Sequence, residues 1–321
     1  MTPTSSGGGV APTLDGDELV EMVGDLGAVG RVGTLALDRT PGAHMSFADV
    51  CGLLDVIEAE PDYAGFVVTQ GTDTIEETAF LVDLLHRDER PVVVTGAMRH
   101  PSMPGADGPA NLSAAIRVAA APHARELGVL VVMNDEIHAA RLVRKVHTMS
   151  PAAFASVPGP LGWVAEGRPQ IITRLPWRST LPRPNGDFPP VALITAALGD
   201  DGRIIESLPG LGYRGVVIEA LGGGHLPPAM ANAVARVAEE LPVVLTSRTG
   251  SGSTLEATYD FPGSEIDLLR NGALSAGCLD GAKARILLTV LLALERDREE
   301  IGAAFALYGG DGSVPDAAVG A

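Results

Sequence analysis

Thr72 and Asp73 place a hydroxyl beside a carboxylate directly after the run Phe66-Val67-Val68-Thr69-Gln70-Gly71. The β-branched and aromatic residues of that run predict a buried strand, Gly71 a turn, and Thr74-Ile75-Glu76-Glu77-Thr78 the start of an acidic helix. In α/β folds ligand groups gather at the carboxyl ends of such strands. A hydroxyl at that place is a candidate nucleophile, and a carboxylate next to it a candidate orienting group. A structural reading stands beside this one. Asp73 and Glu76 have the spacing of a capping box that satisfies free N–H groups at a helix start, with Thr72 an ordinary turn residue. A second strand-like run, Pro91–Thr95, is followed by Gly96 and Ala97, a tight turn whose backbone can approach a ligand. Asp107 beyond it reads as a turn residue or as a group that orients this loop or a catalytic lysine.

These residues need a scaffold, and the rest of the chain supplies one. Further strand-like runs lie at Gly128–Asp135, Val191–Leu198, Gly215–Leu221 and Pro242–Thr249. Helices are predicted over Asp15–Val29, from the capping box Ser46/Asp49 to about Ala59, through Phe80–His86, from near Pro109, and over Pro227–Glu240 and Ala282–Arg296. Trp163–Ile172 reads as an edge hairpin. Strand and helix alternate twice over, which predicts an α/β protein of two domains, each a mainly parallel sheet flanked by helices. Residues 1–174 form the first domain, the Pro- and Arg-rich stretch 175–190 a linker, and 191–321 the second domain. Met1–Pro12, rich in Ser, Gly and Pro, predicts a mobile loop.

Bulk properties narrow the function. The 321 residues carry a formal net charge of −17, so a nucleic-acid surface, which needs clustered Lys and Arg, is not expected. Hydrophobic residues make up 46% and aromatics only 4%, so Leu, Val, Ile and Ala must fill the core. No apolar run is long enough for a membrane span, and no signal-peptide pattern opens the sequence. Cys51 and Cys278, far apart in apolar surroundings, read as buried thiols of a reducing compartment, which makes the cytoplasm the expected location. The 7 histidines show no metal-ligand spacing, and Gly222-Gly223-Gly224-His225 lacks the Lys and Ser/Thr of a P-loop. No metal or cofactor is expected.

Val68-Thr69-Gln70-Gly71-Thr72-Asp73-Thr74-Ile75-Glu76-Glu77-Thr78 resembles the signature of the bacterial-type L-asparaginase (asparaginase/glutaminase) family, and Gly96 to Leu112 resembles its second signature. The resemblance extends over nearly the whole chain. It implies hydrolysis of L-asparagine, and in some members of L-glutamine, to the acid and ammonia without a cofactor. Arg141-Leu142-Val143-Arg144-Lys145 matches the segment where the family carries its active-site lysine, so Thr72, Asp73 and Lys145 are the implied catalytic set. Gly71, Ala97, Gly42 and Ala43 are the implied substrate contacts, the last two through backbone N–H groups where the family offers side chains. Gly223 and Tyr259 are the implied contacts to a neighbouring subunit's site, in a homodimer or homotetramer.

One family element is missing. The Thr-Gly-Gly-Thr-Ile segment, a first strand that holds a nucleophilic threonine, occurs nowhere in this sequence. The expectation is that Met1 is an internal methionine just after it, that the sheet lacks its first strand, and that the chain as given has reduced or no activity. Two other readings remain on the same fold: a non-catalytic amino-acid-binding protein, and a subunit that releases ammonia for an amidotransferase.

Overall fold

The computed structural model describes residues 14–310 except 25, 27, 28, 38 and 39, together with the backbone of 2–3 and 10–11. β1 (Thr2–Pro3) and β2 (Val10–Ala11) form an antiparallel ribbon; the rest of the expected Met1–Pro12 loop lies outside the described residues. The chain divides into two compact units, Met1–Leu181 and Pro182–Ala321.

In the first unit, α1 (Gly16–Glu21) starts at a capping box between Asp15 and Glu18. It is much shorter than the expected Asp15–Val29, because Gly24 adopts φ +73, a left-handed conformation that ends helices. α2 (Phe47–Ala59) begins at the Ser46/Asp49 capping box, as its sequence predicts. β3 (Phe66–Thr69) leads through a 3-10 turn, Thr72–Thr74, into α3 (Ile75–Leu85). Then follow β4 (Val92–Thr95), α4 (Gly108–Ala119), β5 (Val129–Met133), β6 (Glu136–Ala139), β7 (Val143–Lys145), β8 (Phe154–Ser156), β9 (Gly162–Ala165) and β10 (Arg168–Ile171).

The main sheet has the order β10-β9-β6-β5-β4-β3, while among the described residues β7 and β8 pair only with each other. Contrary to expectation, this sheet is not mainly parallel: β3, β4 and β5 run parallel, but β5, β6, β9 and β10 are successively antiparallel. The cause is local. Asn134 and Asp135, at φ 51 and 61, make the two-residue turn that folds β6 straight back on β5. Glu166 and Gly167, at φ 50 and 69, do the same between β9 and β10, which form the expected edge hairpin.

Val92–Val94 and Val129–Val132 are wholly buried, as central parallel strands should be. Ala114, Ala115, Val118 and Ala119 of α4 pack on Val93, Leu130, Val132 and Ile137; the small alanine face lets the helix lie close to the sheet. Among the described residues β3 ends the sheet, and Phe66, Val67 and Val68 are only half-buried. The first residues of the expected linker are held down on this unit: Arg178 donates to Asp83 and to the His86 carbonyl, and Arg141 stacks 4.0 Å over the Trp177 ring.

The second unit contains β11 (Val191–Thr195), α5 (Arg203–Ser207), β12 (Gly215–Ala220), α6 (Pro228–Val237), β13 (Val243–Ser247), α7 (Glu265–Arg270), β14 (Leu274–Ser275), α8 (Gly281–Ala293) and α9 (Arg298–Gly309). Its sheet, β11-β12-β13-β14, is wholly parallel. Val216, Ile218 and Leu245 form a core with Met230, Val234 and Val237 of α6.

Candidate active site

The turn after β3 carries Thr72 and Asp73, and β7 brings Lys145 to them. Lys145 Nζ lies 2.9 Å from Thr72 Oγ1 and 3.1 Å from Asp73 Oδ1. The lysine side chain is only 17% exposed, whereas that of Asp73 is 62% exposed. Water therefore screens the Asp73–Lys145 attraction, and the carboxylate serves more to aim the amine than to bind it tightly. The expected capping box does not form: α3 has no side-chain cap at Thr74. Asp73 faces Lys145 instead, and Glu76 accepts the Lys145 backbone N–H at 2.6 Å. Both carboxylates expected to cap the helix thus hold the lysine.

Backbone close approach shapes the surroundings. Gly42 lies in a 3-10 turn, Gly42–His44, packed against Gly71, and a Cβ on Gly42 would collide with the Gly71 carbonyl. Thr74 Oγ1 ties the same turn down by donating to the Gly42 carbonyl at 2.7 Å, and accepts from Gln70 Nε2 at 2.8 Å. Gly42 is buried, and Ala43 next to it is exposed beside the Thr72 turn. On the other flank, a Cβ on Gly96 would stand 3.1 Å from the Thr72 methyl group, so this glycine leaves the space in which Thr72 sits. Ala97 follows it, exposed.

Asp107 takes the loop-orienting role: its carboxylate accepts the amides of Met98 and Arg99 at 2.9 and 2.8 Å. Asn111 adds bonds to the Gly96 carbonyl and from the Asn134 amide, joining the loop after β4 to the turn after β5.

The structure thus brings together Thr72, Asp73, Lys145, Gly71, Gly42, Ala43 and Ala97 in the first unit. Gly223 and Tyr259 belong to the second. Gly223 follows β12, and its carbonyl accepts the Leu255 amide at 2.8 Å. Tyr259 is 46% exposed, with its ring edge-on to His225 at 5.1 Å. Its amide donates to buried Glu265, which also accepts from Thr258 and pairs with His225 Nε2 at 3.0 Å. Burial opposes the charge on Glu265, but the backbone amides and His225 outweigh it and hold its pKa below the ordinary carboxylate value. Sequence reasoning missed Glu76 and Glu265 as positioning groups. The spacing of Glu76 was already accounted for by a cap, and nothing in the sequence near Glu265 points to His225. Among the described residues no group of His, Cys, Asp and Glu side chains could hold a metal ion.

A family model described as the N-terminal asparaginase domain matches residues 1–177, and one described as the glutaminase/asparaginase C-terminal domain matches 190–305. The chain belongs to the asparaginase family. It is an amidohydrolase of that type, and both of its units take part in the match. An L-asparaginase of Bacillus licheniformis is 34% identical over 296 residues, covering 90% of this chain and 91% of that protein. A probable L-asparaginase of Deinococcus radiodurans is 39% identical, covering 83% of this chain and 82% of its own length. The solved structure of a probable cytoplasmic L-asparaginase from Campylobacter jejuni superimposes with a TM-score of 0.84 at 28% identity, covering 92% of this chain and 95% of that one. The two-domain asparaginase architecture is therefore shared over almost the full described length. Among the described residues no helix is long and apolar enough to cross a membrane.

Proposed function

We propose that this asparaginase hydrolyses L-asparagine to L-aspartate and ammonia at the Thr72–Asp73–Lys145 site. The observation that carries the reading is the Lys145 Nζ–Thr72 Oγ1 distance of 2.9 Å, with the amine aimed by Asp73 and its backbone held by Glu76. A threonine hydroxyl is a weak nucleophile until a base takes its proton, and an amine at hydrogen-bond distance is placed to do so. As the hydroxyl oxygen bonds to the amide carbon, its proton passes to the Lys145 amine nitrogen. The carbonyl oxygen becomes an oxyanion, for which backbone N–H groups at Gly71, Thr72 and Ala97 are the donors. Lys145 returns the proton to the departing ammonia, and water then cleaves the acyl ester by the same path reversed.

Gly42 and Ala43 would meet the substrate α-carboxylate through their backbone, which the Gly42–Gly71 packing keeps beside the Thr72 turn. Gly223 and Tyr259 would complete the site of a neighbouring copy in a homo-oligomer acting in the cytoplasm. A second threonine hydroxyl belongs to this proposal, that of the Thr-Gly-Gly-Thr-Ile segment absent from the sequence.

The test is ammonia release from L-asparagine by this chain and by the chain extended with a strand carrying that segment. Turnover by the extended protein, lost in Thr72→Ala, supports the site. Two folded proteins that bind L-asparagine without releasing ammonia would overturn it in favour of an amino-acid-binding role.

A further inference from the structure

Lys145 stands at the end of a hairpin that cannot hold itself. β7 and β8 are three residues each and, among the described residues, pair with no other strand; a two-stranded ribbon of that length is not stable alone. Its register sets Lys145 opposite Phe154 and Val143 opposite Ser156. Glu76 anchors the β7 side through the Lys145 amide. On the β8 side, Ser156 Oγ lies 2.9 Å from Nδ1 of His138. His138 sits on β6, opposite Val131 of the central strand β5, and has no exposed surface. Its neighbours Ile137 and Ala139 enter the core under α4, so alternation turns His138 to the other face, toward the hairpin.

The hydrogen-bonding sense follows from the ring's surroundings. Burial pushes the His138 pKa down to about 4, so the ring is neutral near pH 7 and carries a single N–H. Nε2 is buried without a hydrogen-bond partner among the described residues and lies 3.4 Å from Glu136 Oε2. A proton on Nε2 turns a positive edge toward that carboxylate, whereas a lone pair there would be repelled by it. Nδ1 is then the acceptor, and the Ser156 hydroxyl donates to it.

We propose that His138 is a positioning residue of the hydrolytic site: through Ser156 it fixes β8 on the central sheet, and through the β7–β8 register it fixes where Lys145 stands relative to Thr72. The inference rests on Lys145 being the base. Neither His138 nor Ser156 touches the reacting atoms; they act through the hairpin. A loosened hairpin lets the amine wander from the 2.9 Å contact, and misplacement on the scale of 1 Å is enough to slow chemistry without weakening substrate binding.

The experiment compares Ser156→Ala with Ser156→Thr, and His138→Leu with His138→Asn, whose side-chain oxygen can take the place of Nδ1. Ser156→Ala and His138→Leu should lower kcat by about tenfold or more at nearly unchanged KM, while the conservative partners recover most of it. Because Ser156 is half-buried, Ser156→Ala should stay folded even if His138→Leu does not. A second readout needs no turnover: labelling of Lys145 by trinitrobenzenesulfonate, followed by peptide mass spectrometry, should speed up in Ser156→Ala and stay at the parent rate in Ser156→Thr. If Ser156→Ala is folded and leaves the Lys145 labelling rate and kcat unchanged, the inference is wrong. If no form releases ammonia but the labelling difference appears, the hairpin clamp stands and the hydrolytic reading fails.

Discussion

At 2.9 Å, a proton can pass between Thr72 Oγ1 and Lys145 Nζ without either side chain moving far. The pair therefore responds to chemistry more than to shape. In the form that turns over, Thr72→Val keeps the side-chain volume and the methyl group facing Gly96 but removes the hydroxyl. Its melting temperature should stay near the parent's, while kcat for ammonia release falls by about 10³-fold or more. Lys145→Arg should not rescue Lys145→Met, since a guanidinium keeps its proton and cannot act as a base. Glu76 gives a milder case. Glu76→Gln still offers an oxygen to the Lys145 amide and should hold most activity, whereas Glu76→Ala, which leaves that amide unpaired, should cost roughly 1–3 kcal/mol of stability in urea unfolding and lower kcat as well.

Among the elements, two loops flank the hydroxyl, one held by close backbone approach and the other by hydrogen bonds from its backbone to a carboxylate. The Gly42–His44 turn can lie on Gly71 only because neither glycine has a Cβ. Gly42→Ala must push the two backbones apart, at about 1–3 kcal/mol by analogy with overpacked cores. The displaced turn carries Ala43, so KM for L-asparagine should rise more than kcat falls. The loop after β4 depends on Asp107 accepting the Met98 and Arg99 amides. Asp107→Ala removes both charge-assisted bonds and should destabilise by about 2–3 kcal/mol, seen as a lower urea midpoint, with the Ala97 backbone no longer aligned.

For the whole molecule, the buried imidazole of His138 makes stability depend on pH in a predictable direction. Its folded pKa of about 4 lies below the ordinary 6.5, so the unfolded chain takes up a proton that the native protein refuses between those values. The contribution is fully present above about pH 6.5, declines as pH falls, and levels off below about pH 4, after a loss of about 3 kcal/mol. Acidification also relieves the repulsion within a chain of net charge −17. The useful quantity is therefore the difference between parent and His138→Gln in urea unfolding at pH 7.5 and pH 4.5. The parent should lose stability relative to the variant by about 2–3 kcal/mol over that range; equal pH dependence in the two proteins would show that His138 does not carry the effect.

What the sequence determined by itself is local and periodic. Phe66–Thr69 as strand with a helix beyond it and the Ser46/Asp49 cap follow from residues within a few positions of one another, and the parallel second sheet from the alternation of its strands with helices. Resemblance then led to Lys145, which no local pattern marks. The antiparallel half of the first sheet was legible too, in the turn-forming Asn134-Asp135 pair, but a single buried run over Gly128–Asp135 hid it. Only the tertiary structure decided between the two readings of Asp73 and Glu76. A carboxylate at a helix start satisfies a cap when nothing better is near; here a hairpin 69–72 residues further along the chain supplies the Lys145 amide and amine, and those take both carboxylates. The same holds for His138 and Ser156, 18 positions apart in sequence and joined only because the hairpin lies against the face of the sheet to which His138 points. Sequence encodes such partners through the packing of whole elements, so they become visible only when those elements are in place.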